Sequence, residues 1–459
     1  MSELEIKDDM PKHMEQVSDD DASQLKKEER ALVRKIDIFL LPSIWLMYLL
    51  SYLDRTNIGN AKIAGMSDEL NLSSQEYSIS LVVFFVSYVV FEVPSNLILS
   101  KTKPSIFLPV IMTLWGTVTC CMSAVTSYGS LVALRFIVGI LEAGFAPGVL
   151  LILSSWYKPD EQSKRFAVYI SAAVLSGAFG GILAGAITKN LDGAHGIEGW
   201  RWLFIVEGCA TIGWAIISYF LLLDFPSNTK RLSPRERELA ISRLQEAQNA
   251  TYTAEDERLS SLQALRQSVI NWRTWLLTLG YMVIVGSSTL SYFYPTLVEG
   301  LGYKDAMAQY MVVPIYAVAF VAVALTGYFM DKHPQWRGVV IASWLALSMA
   351  CSIAVCAVYN FTARYVLLVF MAAGLWASNG LALSYSASTF GTMRQETRGV
   401  SLALVNALGN LAQIYGAYLF PEDDAPKYLM GFGVISGMCA LGVVVYVVAH
   451  VLVRRRSGQ

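Results

Sequence analysis

The sequence predicts an all-α membrane protein with 12 transmembrane helices in two six-helix bundles. Composition is the first reason: 54% of the 459 residues are hydrophobic, only 15% are charged and the mean hydropathy is +0.46. Soluble proteins carry about 25% charged residues. The second reason is that apolar runs of about 20 residues, each long enough to cross a bilayer as a helix, recur twelve times. Third, a polar stretch, 224–273, divides these runs into two sets of six.

The chain begins with a polar segment, 1–35, which includes the acidic cluster Asp19-Asp20-Asp21. We expect this tail to be disordered and cytosolic. No basic segment followed by an apolar stretch and a cleavage site precedes the first apolar run, so we expect no cleaved signal peptide. The N-terminal bundle, 36–223, comes next. Its six predicted spans are 36–57, 79–99, 106–125, 131–156, 166–188 and 202–223.

The polar stretch 224–273 is predicted to be a cytosolic linker between the bundles. Within it, Ser233-Pro-Arg-Glu236 has the pattern of a capping box with proline in the first turn. This pattern predicts an amphipathic helix through about residue 248, and a second polar helix is predicted over 259–269. The C-terminal bundle, 274–453, and a short cytosolic tail, 454–459, complete the chain. The predicted spans of this bundle are 275–297, 307–329, 339–358, 364–390, 400–420 and 429–453.

Basic residues concentrate in alternate short loops, which face the cytosol by the positive-inside rule. We therefore predict that both termini are cytosolic, in a protein of the plasma membrane. Two sequons, at Asn71 and Asn360, then lie on the outer side and are candidate glycosylation sites. The orientation rests on Lys101, Lys103, Lys158, Lys164, Arg165, Lys332, Arg337, Arg394, Arg398, Arg454, Arg455 and Arg456.

Charged residues inside the predicted spans are the candidates for function. Arg135 and Glu142 are seven residues apart, so both project from one face of the fourth helix. A charge at the centre of a span costs roughly 2.5–3.5 kcal/mol, which indicates a functional reason for keeping it. Asp54 and Arg55 lie late in the first span, and Asp54 comes out at a depth similar to that of Arg135, about 10 Å from the outer end. We therefore predict that Asp54 pairs with Arg135; the alternative is that Asp54 and Arg55 form a snorkelling pair at the interface.

Other polar groups in the spans have simpler explanations. Glu92 could serve gating or pair with a base in a loop; we favour the structural role, and Glu207 is interpreted in the same way. All four histidines lie in tails, loops or span ends, so any proton carrier should be a carboxylate, Asp54 or Glu142. On the eleventh helix, Asn406 and Asn410 share a face with Gln413 and could either line a pocket or hold helices together. Gly177, Gly181 and Gly185 indicate close helix packing on the fifth helix.

The two sets of six are typical of parallel repeats, the plan of the major facilitator superfamily. The fourth and tenth helices begin similarly, at Arg135 and Arg364, and Met371 stands where Glu142 would be. Between the eighth and ninth helices, Gly327-Tyr-Phe-Met-Asp331 followed by Lys332 and Arg337 resembles the superfamily's cytosolic loop signature. Asp331 and Arg337 are therefore candidates for latching the cytosolic gate.

More specific motifs resemble the anion:cation symporter family of this superfamily. They are Tyr52-Leu-Asp-Arg-Thr-Asn-Ile-Gly in the first helix, Arg135 to Gly148 in the fourth and Gly199-Trp-Arg-Trp-Leu-Phe before the sixth. The segments 295–303 and 425–428 are similar to its fungal, allantoate-permease-like branch. The resemblance covers about 36–450. It implies proton-coupled uptake of a small organic anion such as nicotinate, allantoate, pantothenate or an aromatic acid. It also implies that Asp54 and Glu142 take protons and that Arg55, Arg135, Tyr52 and Tyr88 contact substrate.

The expected partners are thus a small organic anion, protons and the lipid bilayer, with the protein a monomer. A nucleic-acid partner, a cofactor and a metal are not expected; the six cysteines match neither a disulfide framework nor a zinc site. No catalytic constellation of a soluble enzyme is present, so an enzyme is not predicted. Two alternatives remain open at this stage: an exporter of an acidic metabolite with the same fold, and a nutrient sensor that does not transport.

Overall fold

The computed structural model describes residues 19–229, 231–249, 259–391 and 393–457, and these residues contain helices but no strand. Eleven helical segments within them are long and apolar enough to cross a membrane. We number the membrane-spanning units span 1 to span 12 in chain order. "Outer end" and "inner end" denote the ends of the molecule that the positive-inside rule predicts to face outside and the cytosol.

The N-terminal bundle contains spans 1 to 6. Span 4 consists of two helices, because Pro147 has no N–H for the carbonyl of Ala143, four residues earlier. The helices are Asp19–Ala61, continued by the π-helical turn Lys62–Met66, then Ser74–Lys101, Pro104–Met122, Tyr128–Glu142 with Phe145–Trp156, Pro159–Asn190 and Gly199–Leu221.

The C-terminal bundle contains spans 7 to 12. Spans 7, 8 and 11 are interrupted, span 7 by the 3-10 turn Thr289–Phe293. The helices are Trp272–Ser288 with Tyr294–Gly300, Asp305–Tyr310 with Val312–Lys332, Arg337–Ala357, Phe361–Thr389, Gln395–Asn410 with Ala412–Gly416, and Leu429–Ser457.

Span 11 differs most from its prediction. We predicted an uninterrupted span over 400–420, but its helix breaks at Leu411 and the second piece ends at Gly416. It is the predicted span that is absent from the eleven long apolar helices of the described residues. Asn406, Asn410 and Gln413 lower its hydropathy, because amides are costly in hydrocarbon unless they face protein.

The N-terminal tail also differs from its prediction. We predicted disorder over 1–35, yet the helix of span 1 begins at Asp19; residues 1–18 lie outside the described residues. Ion pairs hold this helical extension to the first linker helix, Pro234–Asn249. Lys35 lies 2.9 Å from Glu236, and this contact keeps the pKa of Glu236 below its usual range. Glu28 lies 2.9 Å from Arg235. The first linker helix is therefore attached to the N-terminal bundle.

The second linker helix, Ser261–Ile270, is attached to the other bundle. Ser268 donates a hydrogen bond of 3.0 Å to the carbonyl of Thr397, and the hydroxyl of Thr397 donates one of 2.8 Å to Gln267. Thr397 belongs to span 11. Both linker helices begin with the serine-initiated capping pattern, at Ser233 and Ser260, as the sequence predicted for the first.

The two bundles contact each other near the outer end. Gln309 donates a hydrogen bond of 3.0 Å to the carbonyl of Asn60, and Lys62 lies 2.9 Å from Glu422. The predicted glycine stripe on span 5 is part of this contact: a methyl group at Gly181 would lie 2.8 Å from the carbonyl of Gln309. The outer end is thus the closed end in this conformation.

Replacing Glu422 with glutamine is expected to open this end. The ammonium of Lys62 is buried and the Glu422 side chain is 46% exposed, so the pair contributes about 0.5–1 kcal/mol. Its loss should raise the opened fraction about two- to five-fold. Distances between nitroxide labels at the exposed positions 198 and 362, measured by electron paramagnetic resonance, report the separation of the bundles. Asp423→Asn is the matched control, and an unchanged distance distribution in Glu422→Gln would contradict the expectation.

Gly139 sets the distance between spans 2 and 4. A methyl group at this position would lie 2.0 Å from the Ser87 hydroxyl and 2.5 Å from the carbonyl oxygen of Phe84. The backbone of span 2 therefore approaches span 4 as closely as glycine permits.

Gly139→Ala is accordingly expected to destabilise the protein by about 1–3 kcal/mol, because a backbone carbonyl cannot rotate away from the added methyl group. Thermal unfolding of the purified protein measures the loss. Gly129→Ala on the same helix is the control, since no atom lies within 4 Å of a methyl group there. Equal melting temperatures for the two variants would show that the spans can separate freely.

Candidate functional site

Span 4 places a cation and an anion on one buried face. Its first helix begins at Tyr128 behind the capping residue Ser127 and ends at Glu142. Arg135 and Glu142 are each only 1% exposed, which agrees with the expectation that residues seven apart share a face. The helix break after Glu142 puts this carboxylate at the end of a helix, in the middle of a membrane-spanning unit.

Glu142 is paired with Arg55 of span 1. The Nη2 of Arg55 lies 2.7 Å from the Oε1 of Glu142, and the two side chains are 8% and 1% exposed. Ser51, one turn before Arg55, donates a short hydrogen bond to the same oxygen. Glu142 Oε2 has no hydrogen-bond partner among the described residues. The carboxylate is thus held from one side and has acceptor capacity left on the other.

Three aromatic rings enclose the guanidinium of Arg55. Its central carbon lies 4.9 Å from the ring centre of Tyr52, 5.0 Å from that of Tyr88 and 5.3 Å from that of Phe84. Such contacts stabilise a cation by about 0.5–2 kcal/mol each, more when water is excluded. The predicted site residues Tyr52 and Tyr88 are therefore beside Arg55, as partners of its charge.

Arg135 is a buried cation without a carboxylate. Its guanidinium stacks on the other part of the same aromatic group, 4.6 Å from the ring centre of Phe84, and its Nε donates a long hydrogen bond of 3.5 Å to the carbonyl of Ser80. The Nη2 has no hydrogen-bond partner, and Arg135 makes no ion pair, among the described residues. A buried guanidinium with an N–H group that has no acceptor is suited to binding an anion.

The predicted pairing of Asp54 with Arg135 is wrong. Asp54 accepts hydrogen bonds from Trp115 on span 3, at 3.1 Å, and from Thr211 on span 6, at 2.9 Å. Adjacent residues on a helix point about 100° apart, so Arg55 faces span 4 while Asp54 faces away from it. The prediction rested on the depths of Asp54 and Arg135 along their helices and took no account of the directions in which their side chains point. The alternative of a snorkelling pair is also wrong, because Asp54 and Arg55 are 5% and 7% exposed.

The C-terminal bundle contributes an amide network. The hydroxyl of Tyr292 donates a hydrogen bond of 3.3 Å to Gln413, which donates another of 3.3 Å to Asn410. The Tyr292 ring packs edge-on against Phe85 of span 2, 5.6 Å between centres. Its hydroxyl also lies within electrostatic range of both Arg55 and Arg135. Asn410 is thereby linked to Tyr292 through Gln413. Asn406, one turn earlier, is half-buried.

The corresponding arginine of the second bundle is used differently. Arg364 donates hydrogen bonds to the carbonyls of Pro426, at 3.4 Å, and Lys427, at 2.5 Å. Met371, seven residues later, is fully buried. Arg364 therefore holds a loop in place, and the guanidinium N–H without an acceptor and the buried carboxylate both belong to the N-terminal bundle.

The other predicted site residues lie apart from this centre. Asp331 belongs to the helix of span 8, but its side chain lies outside the described residues. Arg337 begins span 9 and is half-buried. Asn71 and Asn360 are exposed at the outer end, and Asn360 caps span 10 by accepting a hydrogen bond of 3.1 Å from the backbone of Ala363.

Some partners of the buried charges were not predicted from the sequence. They are uncharged, so the cost of a buried charge did not single them out. Tyr292 is one of several tyrosines and serines in the sequence of its span, and nothing in the sequence distinguishes it from them. These partners are Ser51, Phe84, Trp115, Thr211 and Tyr292.

The chain is similar to transport proteins along most of its length. The sequence profile of the Major Facilitator Superfamily matches residues 44–417. A relative from a fungus (strain NRRL 50135), the MFS transporter prlL, is 36% identical over 89% of this chain and 83% of its own. A protein of Agrobacterium vitis named "Putative tartrate transporter" is 30% identical over 92% of this chain and 95% of its own. Among solved structures, a bacterial homologue of the human lysosomal transporter Spinster superposes with a TM-score of 0.69 at 16% identity, covering 90% of this chain and 96% of that one.

Proposed function

This chain belongs to the Major Facilitator Superfamily, and from that premise we propose that it couples inward proton movement to the uptake of a small organic anion. Membership makes it a multi-pass membrane transporter and not an enzyme. The anion, the proton coupling and the direction are the proposal. They are supported by the chemistry of the buried groups on spans 1 and 4, and the anion:cation symporter family is the branch that its motifs resemble.

The observation that carries the proposal is the unpaired guanidinium of Arg135 beside the Arg55–Glu142 ion pair. Two arginines and one carboxylate leave an excess of positive charge on the face that also carries Tyr52 and Tyr88. Carboxylate anions fit this arrangement, because a guanidinium binds them through two parallel hydrogen bonds. The relative from Agrobacterium vitis, whose name refers to tartrate, is consistent with a carboxylate substrate.

Protonation of Glu142 is the proposed coupling step. In this structure the carboxylate of Glu142 accepts a hydrogen bond of 2.7 Å from the guanidinium of Arg55. A proton on Glu142 removes the charge that holds Arg55, so Arg55 can turn to the substrate carboxylate alongside Arg135. Proton and anion then bind cooperatively, since each favours the arrangement that the other requires. Asn406 and Asn410 are proposed to contact the anion from the C-terminal bundle, next to Tyr292.

Asp54 is proposed as a second proton-binding carboxylate, on the face of span 1 opposite to the anion. Asp331 and Arg337 are proposed to latch the inner gate between spans 8 and 9. We further propose a monomer in the plasma membrane with both termini cytosolic. In that orientation Asn71 and Asn360 are exposed outside and can carry glycans.

Uptake of radiolabelled anions by cells expressing the protein tests the proposal. Tartrate, nicotinate, allantoate, pantothenate and an aromatic acid are supplied separately at acidic and at neutral external pH. Uptake of at least one anion should rise with an inward proton gradient and collapse when a protonophore removes it. Loss of preloaded anion, driven by the same gradient, would instead identify an exporter, and an absence of movement in both directions would contradict transport of these anions.

A further inference from the structure

Glu207 is a buried carboxyl group that has no role in the proposed transport cycle. It belongs to span 6 and is 1% exposed, and both of its oxygens lack hydrogen-bond partners among the described residues. A structural glutamate should have a donor. An ionised carboxylate buried without one costs several kcal/mol, so the interpretation of Glu207 as a structural residue does not explain it.

Glu207 and Asp54 are connected through Thr211. Thr211, which donates the 2.9 Å hydrogen bond to Asp54, is one turn after Glu207 on the same face of span 6. The remaining oxygen of Asp54, Oδ1, is also buried without a partner among the described residues.

Little else of charge faces this pair. Span 6 packs against spans 1, 3 and 5 and against the turn Lys62–Met66. Span 3 carries no charged residue, and its Cys120 lies opposite Gly208. Span 5 has none between Arg165 and Lys189, and the charge of Lys62 is paired with Glu422. Arg55, the residue after Asp54 on span 1, is paired with Glu142. Among the described residues of these spans, no unpaired cation therefore faces either carboxyl group.

The pair is closed toward the outer end. Glu69 accepts hydrogen bonds from Arg201 and from the indole of Trp200, each of 2.6 Å, and Arg201 also donates to the carbonyl of Ser123. These residues lie about two turns above Glu207, at the start of span 6. A proton can therefore move between these carboxyl groups and the outside only when the hydrogen bonds of Glu69 and Arg201 break.

We propose that Glu207 and Asp54 form one proton-binding site, in which Glu207 holds a proton and shares it with Asp54. Each of the two groups has a buried oxygen without a donor, so a proton held here removes one buried charge and supplies a missing donor. The site lies on spans 1, 3 and 6, separate from the anion face. Its use in transport rests on the proposed proton coupling, but its protonation does not.

Infrared difference spectra of the purified full-length protein in lipid nanodiscs test the assignment. Subtracting the spectrum of Glu207→Gln from that of the wild type at neutral pH isolates the vibration of one carboxyl group. A protonated group shows the carbonyl stretch of a carboxylic acid, and an ionised group shows the antisymmetric carboxylate stretch. We expect the acid band, with an intensity of one residue, and we expect Asp54→Asn to shift its frequency.

Glu198→Gln, at the exposed capping position of the same helix, is the matched control and should remove a carboxylate band. If Glu207→Gln fails to fold, Glu207→Asp retains a carboxyl group and should still show the acid band. A carboxylate band for Glu207, or an acid band indifferent to Asp54→Asn, would overturn the shared site. Because no substrate is used, failure of the uptake assay leaves this result unaffected.

Discussion

Glu142→Gln is expected to abolish proton-driven accumulation of the anion while leaving its binding and exchange in place. Glutamine keeps the shape of the side chain and can still accept a hydrogen bond from Arg55, but it cannot carry the proton. Each coupled proton supports about a tenfold accumulation of anion per unit of pH difference. The reason is that one pH unit is a tenfold ratio of proton concentrations, or about 1.4 kcal/mol. Under a gradient of about one unit, the accumulated anion should therefore fall roughly tenfold, toward its external concentration.

Proteoliposomes measure both activities with the anion that the uptake assay identifies. Net uptake is driven by an imposed pH difference, and exchange is followed by counterflow of labelled against unlabelled anion. Glu198→Gln removes an exposed carboxyl group and should behave as the wild type. Normal accumulation by Glu142→Gln would remove Glu142 from the proton pathway.

Arg135→Met is expected to weaken anion binding by roughly 100-fold without lowering the stability of the fold. Truncating one member of a buried charge pair typically costs 2–5 kcal/mol of binding, and here the other member would be the anion. The stability of the empty protein should be retained or increased, because this cation has no ionic partner among the described residues to leave behind. Methionine also keeps much of the packing against Phe84.

Arg55→Met provides the contrast. It would leave Glu142 as a buried charge without its partner at 2.7 Å, so the expected loss of folding stability is about 3–5 kcal/mol. Thermal unfolding with and without the anion measures stability and binding together. Arg135→Met should melt like the wild type but show no stabilisation by anion, whereas Arg55→Met should melt early. Equal melting temperatures for the two variants would contradict the assigned ion pair.

The sequence identified the buried charges but not their partners. Arg135, Glu142, Asp54 and Arg55 stood out because charges inside apolar spans are costly, and all four are buried. Pairing depends on direction, which changes by about 100° from one residue to the next. Depth counted along the chain could therefore place Asp54 level with Arg135 without showing that it faces Trp115.

Local capping signals were read more reliably than interhelical contacts. The pattern at Ser233 predicted the first linker helix to within a residue or two. The helical extension before residue 36 was missed, because the ion pairs Lys35–Glu236 and Arg235–Glu28 join residues about 200 apart in the chain. Glu207 was interpreted as a structural residue because the sequence does not show that its carboxyl group lacks a partner.

The unpaired guanidinium of Arg135 has an electrical consequence. A group whose access to water alternates between the two sides moves through part of the membrane field, and a whole charge in that field is worth about 2.3 kcal/mol per 100 mV. In the proposed cycle the empty transporter carries this positive charge through its reorientation. The loaded form carries it too, because the proton on Glu142 offsets the charge of a bound monoanion. An inside-negative voltage thus opposes the outward return of the empty form and favours the inward step of the loaded form, so hyperpolarisation slows turnover where the return step is rate-limiting.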